Sequence, residues 1–290
     1  MKSGFILVDK PSGMTSFDVV KRVRAVLGVK KVGHAGTLDP LASGLMLIAF
    51  GEGTKLLEYF IGADKVYEVL AVFGATSTTF DADGEIVSTG VSNKIEQEEI
   101  NKIIQERFLG LIDQVPPKYS ALKIAGKRAY ELARSGVDFD IKSREVRVYG
   151  VEVAEYDWPE VRMRVSCGSG TYIRSLVHDL GSELMGVGAY VKELRRLKVA
   201  DFDLDDAVSL DEAVDSLGHV TEVSSLEEFV VGLYSVELDS VDIQGLADGK
   251  VLMGKKIDYE WAMAFHEGRL VGVVEPFMEG IKFKKVINVS

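Results

Sequence analysis

Apolar positions along this chain follow two periods, and the segments they mark follow no simple alternation. Phe5 to Val8 is a short apolar run closed by Lys10-Pro11-Ser12-Gly13, where Pro and Gly signal a turn. Val19, Val20, Val23, Val26 and Leu27 then recur at helical spacing, with Ser16 offering an N-cap and Gly28 a stop. Leu45 to Phe50 is unbroken apolar sequence, as expected of a buried strand; Lys55 to Phe60 reads as a short helix and Val66 to Phe73 as a β-rich strand. Ile95, Ile100, Ile103, Ile104 and Phe108 predict an amphipathic helix, while Arg144 to Glu155 and Val161 to Cys167 alternate as strands. Gly168-Ser169-Gly170 leads into a helix from about Thr171 to Leu184, with Tyr172 and Arg174 expected in its first turn.

This mixed order argues against a doubly wound parallel fold and for an α+β domain built on a mixed, largely antiparallel sheet. From Val236 onward, short apolar runs are punctuated by Gly245, Gly249, Gly254, Gly268, Gly272 and Gly280, which predicts a small β-rich module. The expected boundary follows the acidic stretch Asp201 to Asp215 and the helical Ser225 to Val231, giving domains 1–230 and 231–290. The 290 residues are 47% hydrophobic, enough for a large core. No apolar run approaches the roughly 20 residues of a membrane span, and Lys2 to Val8 is too short and wrongly flanked for a secretory signal, so a cytoplasmic protein is expected. A single cysteine, Cys167, excludes an internal disulfide and a cysteine zinc site. No two of His34, His178, His219 and His266 stand at a metal-ligand spacing, so no metal is expected.

Net charge is -11, which at first argues against a nucleic-acid partner. Its distribution reverses that. Residues 1 to 200 carry net +1 and residues 201 to 290 net -12, so the acidity is confined to the last third. The first part has basic clusters at Lys21/Arg22/Arg24, Lys30/Lys31, Lys118/Lys123/Lys127/Arg128, Arg144/Arg147 and Arg195/Arg196/Lys198. On one face these would make a phosphate-binding surface; dispersed, they would be solvated positions balanced by nearby acids.

The chemistry concentrates in Gly33-His34-Ala35-Gly36-Thr37-Leu38-Asp39-Pro40-Leu41-Ala42-Ser43-Gly44. Three glycines let a backbone crowd a ligand there, and a lone carboxylate can be held rigidly. The stretch alone equally allows a Gly-rich turn in which Asp39 accepts hydrogen bonds from nearby backbone N–H groups. Three other segments join it: Asp9-Lys10-Pro11-Ser12-Gly13, Val115-Pro116-Pro117-Lys118-Tyr119-Ser120-Ala121-Leu122-Lys123 and Cys167-Gly168-Ser169-Gly170-Thr171-Tyr172-Ile173-Arg174. With Gly126 to Gly136 and Leu194-Arg195-Arg196-Leu197, this set resembles the bacterial TruB family of tRNA pseudouridine synthases over about residues 4 to 205. One departure is the Ser77-Thr78-Thr79 that replaces the family's Thr-Asp-Thr before Asp81 to Gly84, which removes any carboxylate from position 78.

The resemblance implies isomerisation of uridine to pseudouridine at position 55 in the tRNA T-loop, after the base is flipped out. It implies Asp39 as nucleophile, Arg174 as its cationic partner and Tyr67 stacking on the target base and helping to move a proton, with Lys10, His34, Tyr172 and Leu194 near substrate. The C-terminal tail would be a PUA-like RNA-binding module. Isomerisation supplies no outside group and changes no redox state, so no cofactor is expected; tRNA is the expected partner, with no protein partner and a monomeric state. A carboxylate can add to the sugar or to the pyrimidine ring, and the sequence leaves both open. An arginine in a helix first turn sits badly with the helix dipole, which points to a dedicated anionic partner. The alternatives are a guide-dependent rRNA pseudouridine synthase, disfavoured by the Pro116 to Lys123 segment and the lack of a long basic tail, and an RNA-binding module without catalysis, which would not need Asp39, Tyr67 and Arg174 together. A glycoside-processing site would require a second acid in an equally site-like loop.

Overall fold

The computed structural model describes residues 3–90, 94–124, 126–219, 226–230 and 232–287. In chain order the main elements are β1 (Gly4–Lys10), α1 (Ser16–Leu27), β2 (Val32–His34), β3 (Ser43–Phe50), α2 (Leu57–Ile61), β4 (Lys65–Phe73), α3 (Gln97–Arg107), β5 (Gly110–Gln114), β6 (Arg144–Asp157), β7 (Glu160–Cys167), α4 (Ile173–Glu183) and β8 (Ala189–Val199). A ten-stranded sheet runs from Val208–Ser209 through β1, β3, β8, β4, β7, β6 and β5, with β2 beside β3 and Phe202–Asp203 beside β8. The pairs β3·β8 and β1 with Val208–Ser209 are parallel; the others are antiparallel. The fold is therefore mixed α+β, as the element order predicts.

The unbroken apolar run of β3 has a direct cause, since side chains in a strand alternate between faces and both faces here are covered. Met46, Ile48 and Phe50 join the core under α1, α3 and α4, whereas Leu47 and Ala49 join Phe5, Phe60, Phe229, Met263, Leu270 and Val273 on the other side. That second face is closed by a five-stranded sheet ordered Ser235–Glu237, Ala262–His266, Arg269–Phe277, Gly280–Val286 and Leu252–Met253. The C-terminal β-rich unit thus packs against the back of the ten-stranded sheet. Residues 220–225 and 231, where the sequence places the domain boundary, lie outside the described residues. Among the described residues no helix is long and apolar enough to cross a membrane.

Three local expectations are corrected. The N-cap of α1 is Thr15: its Oγ1 accepts from the Asp18 N–H at 3.1 Å and its own N–H donates to Asp18 at 3.2 Å, a capping box. Ser16 is thereby released to bond both backbone groups of Leu38, 22 residues away. At α4 the helix begins at Ile173, so Tyr172 is the cap residue and only Arg174 lies in the first turn. The short helix expected at Lys55 to Phe60 is a 3-10 turn, Gly51–Leu56, running into α2.

Candidate active site

The loop between β2 and β3 carries Asp39 and is stitched to the turn after β1. Lys10 Nζ donates to the carbonyls of Pro11 (2.9 Å), Met14 (2.7 Å) and Pro40 (3.4 Å), and the Gly13 N–H donates to Pro40 at 2.8 Å. Ser12 Oγ donates to Leu41 O at 2.7 Å, and Ser16 fixes Leu38. These bonds bracket Asp39 on both sides, so its backbone is held before any ligand arrives.

Arg174 comes to this loop from the start of α4. Its Nε lies 2.9 Å from Asp39 Oδ2, an ion pair in which the N–H is not aligned on the oxygen. Nη1 stands 3.2 Å from Asp81 Oδ2 and donates to Thr79 O at 2.8 Å, while Nη2 donates to Tyr119 O at 2.9 Å. The guanidinium is 4% exposed and bridges two carboxylates. That is the anionic partnership its unfavourable helix position called for. Asp81 is also tied to Thr79 through the threonine hydroxyl. The Thr78 hydroxyl instead accepts from the Glu85 N–H at 3.1 Å, so the turn uses position 78 and the arginine uses Thr79 and Asp81.

Asp39 is surrounded by protein, yet 33% of its side chain is accessible because it opens into a cavity. Burial pushes its carboxyl above the ordinary carboxylate range, Arg174 pulls it back, Asp81 adds to the rise and Lys10 opposes it. The cavity, about 320 Å³, is walled by Asp39, Tyr67, Tyr172, Leu194, Arg174, Arg196, Lys65 and Arg144, among others. Tyr67 is buried on β4, and burial raises its phenol pKa against the nearby Arg196. Tyr172 is placed by buried Gln114, whose side chain bonds the Tyr172 N–H (2.7 Å) and carbonyl (3.0 Å). The Arg144 guanidinium lies 4.8 Å from the Tyr172 ring centroid. Leu194 contributes a purely apolar wall.

The structure thus gathers Asp39, Tyr67, Arg174, Tyr172 and Leu194 around one cavity. Lys10 and His34 are not in its wall. Lys10 lies behind the loop with no exposed surface, its pKa pushed down to about 8 by burial, with Asp39 opposing and Arg196 adding to the fall. His34, at the end of β2, has its imidazole pKa lowered by burial and by Arg196. Among the described residues no group of three or more His, Cys, Asp or Glu could hold a metal ion.

Residues 24–173 match the TruB family pseudouridylate synthase N-terminal domain, and residues 174–251 match the tRNA pseudouridylate synthase B C-terminal domain. The chain is 37% identical to tRNA pseudouridine synthase B of Aquifex aeolicus over 275 residues, covering 94% of this chain and 95% of that protein. The chain belongs to the TruB family. A second family protein, tRNA pseudouridine synthase B of Dechloromonas aromatica, is 36% identical over 97% of this chain and 94% of its own. Among solved structures, a chain of a Cbf5-Nop10-Gar1 complex superposes with a TM-score of 0.75 at 26% identity, covering 98% of this chain and 85% of that one.

Three residues of this TruB-family site escape the sequence reading. Asp81 sits in an Asp-x-x-Gly turn and reads as turn chemistry. Lys65 is two residues before Tyr67, hence on the same face of β4; its Nζ donates to the Ile61 (3.0 Å) and Ala63 carbonyls, and burial brings its pKa down to about 8. Arg196 stands in a basic cluster of the sequence, but it is in phase with Leu194 on an alternating strand, which is the signal that it faces inward.

The expected phosphate surface is also smaller than the clusters suggest. Lys21 pairs with Asp18, Arg22 with Asp211, Lys118 with Asp138, Arg195 with Asp9 and Lys198 with Asp203. Arg196 is buried. Exposed Lys123, Lys127 and Arg128 carry no ion pair among the described residues and stand near the cavity-lining Ala121 and Leu122.

Proposed function

We propose that this chain isomerises uridine to pseudouridine at position 55 in the T-loop of tRNA, with Asp39 as nucleophile. The observation that carries this reading is the Asp39–Arg174 pair at 2.9 Å, opening into a single cavity with an aromatic and an apolar wall. Isomerisation breaks the bond from ribose to the ring nitrogen, turns the base and joins the same ribose carbon to a ring carbon, whose proton is lost while the nitrogen gains one. Atoms balance without a cofactor or metal, and none is assigned. Asp39 splits the reaction by adding covalently, and Arg174 keeps a partly desolvated carboxylate available as an anion. Tyr67 stacks on the displaced base, Tyr172 and Leu194 close the walls, and Lys10 serves from behind the loop by holding its backbone.

A uridine inside a folded loop reaches this cavity only when extruded, at a cost of a few kcal/mol in unstacking. Arg144 lines the cavity, and Lys123, Lys127 and Arg128, which follow the cavity-lining Ala121 and Leu122 in the chain, meet the flanking phosphates. Residues 1–230 form the catalytic domain and 231–290 a PUA-like RNA-binding module; the chain acts as a cytoplasmic monomer that needs no protein partner. The test is direct. Purified protein is incubated with an unmodified tRNA transcript, and pseudouridine is mapped at single-nucleotide resolution. One product in the T-loop is expected, and none would refute the reading.

A further inference from the structure

Arg196 has the largest of the fully buried side chains, at 1% exposure, although it carries a permanent charge. Such a group is costly to bury unless its charge and donors are used. No carboxylate lies within ion-pair distance of it among the described residues, in contrast to Arg162, which has three carboxylates around it. Its donors are spent on the nucleophile's loop instead. Nε donates to Leu45 O at 2.7 Å and Nη2 to Gly36 O at 3.2 Å, so one guanidinium grips that loop on both sides of Asp39.

The sheet puts the same residue against Tyr67. Arg196 is the register partner of Gly44 on β3 and of Tyr67 on β4, so β8 carries it between the strand leaving the Asp39 loop and the strand bearing the ring. The approach to β3 is close enough to require glycine: Gly44 has φ +104°, and a Cβ there would lie 2.7 Å from the Arg196 amide nitrogen. The guanidinium faces the Tyr67 phenol and draws its ionisation back down against burial.

We propose that Arg196 is a positioning residue of the isomerisation, fixing the Asp39 loop and the Tyr67 phenol relative to one another through a single buried guanidinium. This rests on the proposed T-loop activity. A planar fork can serve two carbonyls and a phenol at once, which a lysine ammonium on a flexible stem cannot reproduce.

The test uses the full chain and its Arg196→Lys, Arg196→Gln, Tyr67→Phe and Tyr67→Phe/Arg196→Lys variants. Melting temperature, tRNA affinity, and the rate constant and amplitude of a single turnover at saturating enzyme are measured for each. Arg196→Lys is expected to lower the rate constant about 100-fold, the scale of a 1 Å misplacement, with affinity within about threefold. In the Tyr67→Phe background the same change should cost less than about tenfold, because one of the two positioned groups is already incomplete. A structural role alone would lower melting temperature and reacting amplitude while leaving the rate constant of the folded fraction within threefold of the parent; that result overturns the proposal. So would full multiplicativity with Tyr67→Phe, or failure of both single Arg196 variants to fold. A parent chain that makes no T-loop product would refute the proposed function itself, whereas an active parent with an equally fast Arg196→Lys refutes only the role of Arg196.

Discussion

Replacing Arg174 with methionine keeps most of the side-chain volume and removes the charge that two carboxylates share. Two unit charges about 4 Å apart attract by about 4 kcal/mol at an effective dielectric of about 20. Because a third of Asp39 opens into the cavity, water screens the pair, and about half of that figure is the better expectation. Some 2 kcal/mol corresponds to about 1.5 pH units in the Asp39 ionisation. The direction is upward, from a carboxyl that burial and Asp81 already raise. With Asp39 as the anionic nucleophile proposed above, the acid limb of the single-turnover pH–rate profile should move to higher pH by about 1 to 2 units in Arg174→Met. The plateau above it should also fall, by about 100-fold, since the lost fork no longer orients the carboxylate.

The assay is single-turnover conversion of a tRNA transcript between pH 5 and 9, with melting temperature followed at each pH. Removing one member of a buried charge network can cost 3–5 kcal/mol of stability, so Arg174→Lys is run beside it. That variant keeps the positive charge but not the fork to Thr79 and Tyr119; its acid limb should stay near the parent's while its plateau drops. An acid limb for Arg174→Met that coincides with the parent's would refute the reasoning, as would a plateau within threefold of it.

Asp39→Asn should abolish turnover while tRNA affinity stays within about tenfold, or 1.4 kcal/mol, as measured by equilibrium binding; residual activity near the parent's would remove Asp39 from the mechanism. Lys10 has a folded pKa of about 8 against 10.5 unfolded, so between those values the unfolded chain binds more protons and this group makes stability rise with pH. Unfolding free energy of the parent minus that of Lys10→Met should therefore rise by up to about 3 kcal/mol from pH 7 to 10.5, and a flat difference would sink the idea. Gly44→Ala places a Cβ against the Arg196 backbone at φ +104° and should cost about 3 kcal/mol, seen as a melting temperature lower by roughly 6–12 °C. A drop under 2 °C would show that β3 yields easily.

Much of this fold is legible because burial writes itself into the sequence. The unbroken run Leu45 to Phe50 marks a strand covered on both faces, and alternation in Val161 to Cys167 marks one facing a core on one side only. Asp39, Tyr67 and Arg174 fall in segments similar to a family, so their gathering at one cavity follows once the family's fold is adopted. What stays hidden is long-range pairing. Nothing local tells Ser16 from Thr15 as the cap, because the difference is that Leu38 claims the serine hydroxyl from across the loop. Asp81 likewise reads as a turn former until Arg174, 93 positions later, reaches it.

Charge reading fails in the same way and for the same reason. A cluster such as Arg195-Arg196-Leu197-Lys198 looks like one basic patch in sequence, but on a strand its first two members point to opposite faces. Arg195 goes to Asp9, and Arg196 goes inward to Gly36 and Leu45. The division matters for recognition as well as for the site. Cations spent on carboxylates or on loop carbonyls contribute little to counterion release, so the salt dependence of RNA binding should reflect exposed basic residues without an ion pair among the described residues, such as Lys30, Lys31, Lys123, Lys127, Arg128 and Arg147, and not the count of basic residues in the first 200 positions. The acidic last third is divided in the same way: its five-stranded sheet stands behind the ten-stranded one, on the face closed by Phe5, Leu47 and Phe229, whereas Leu210 and Ala213 of the acidic stretch 201–215 pack into the core on the α1 side, where Asp211 pairs with Arg22.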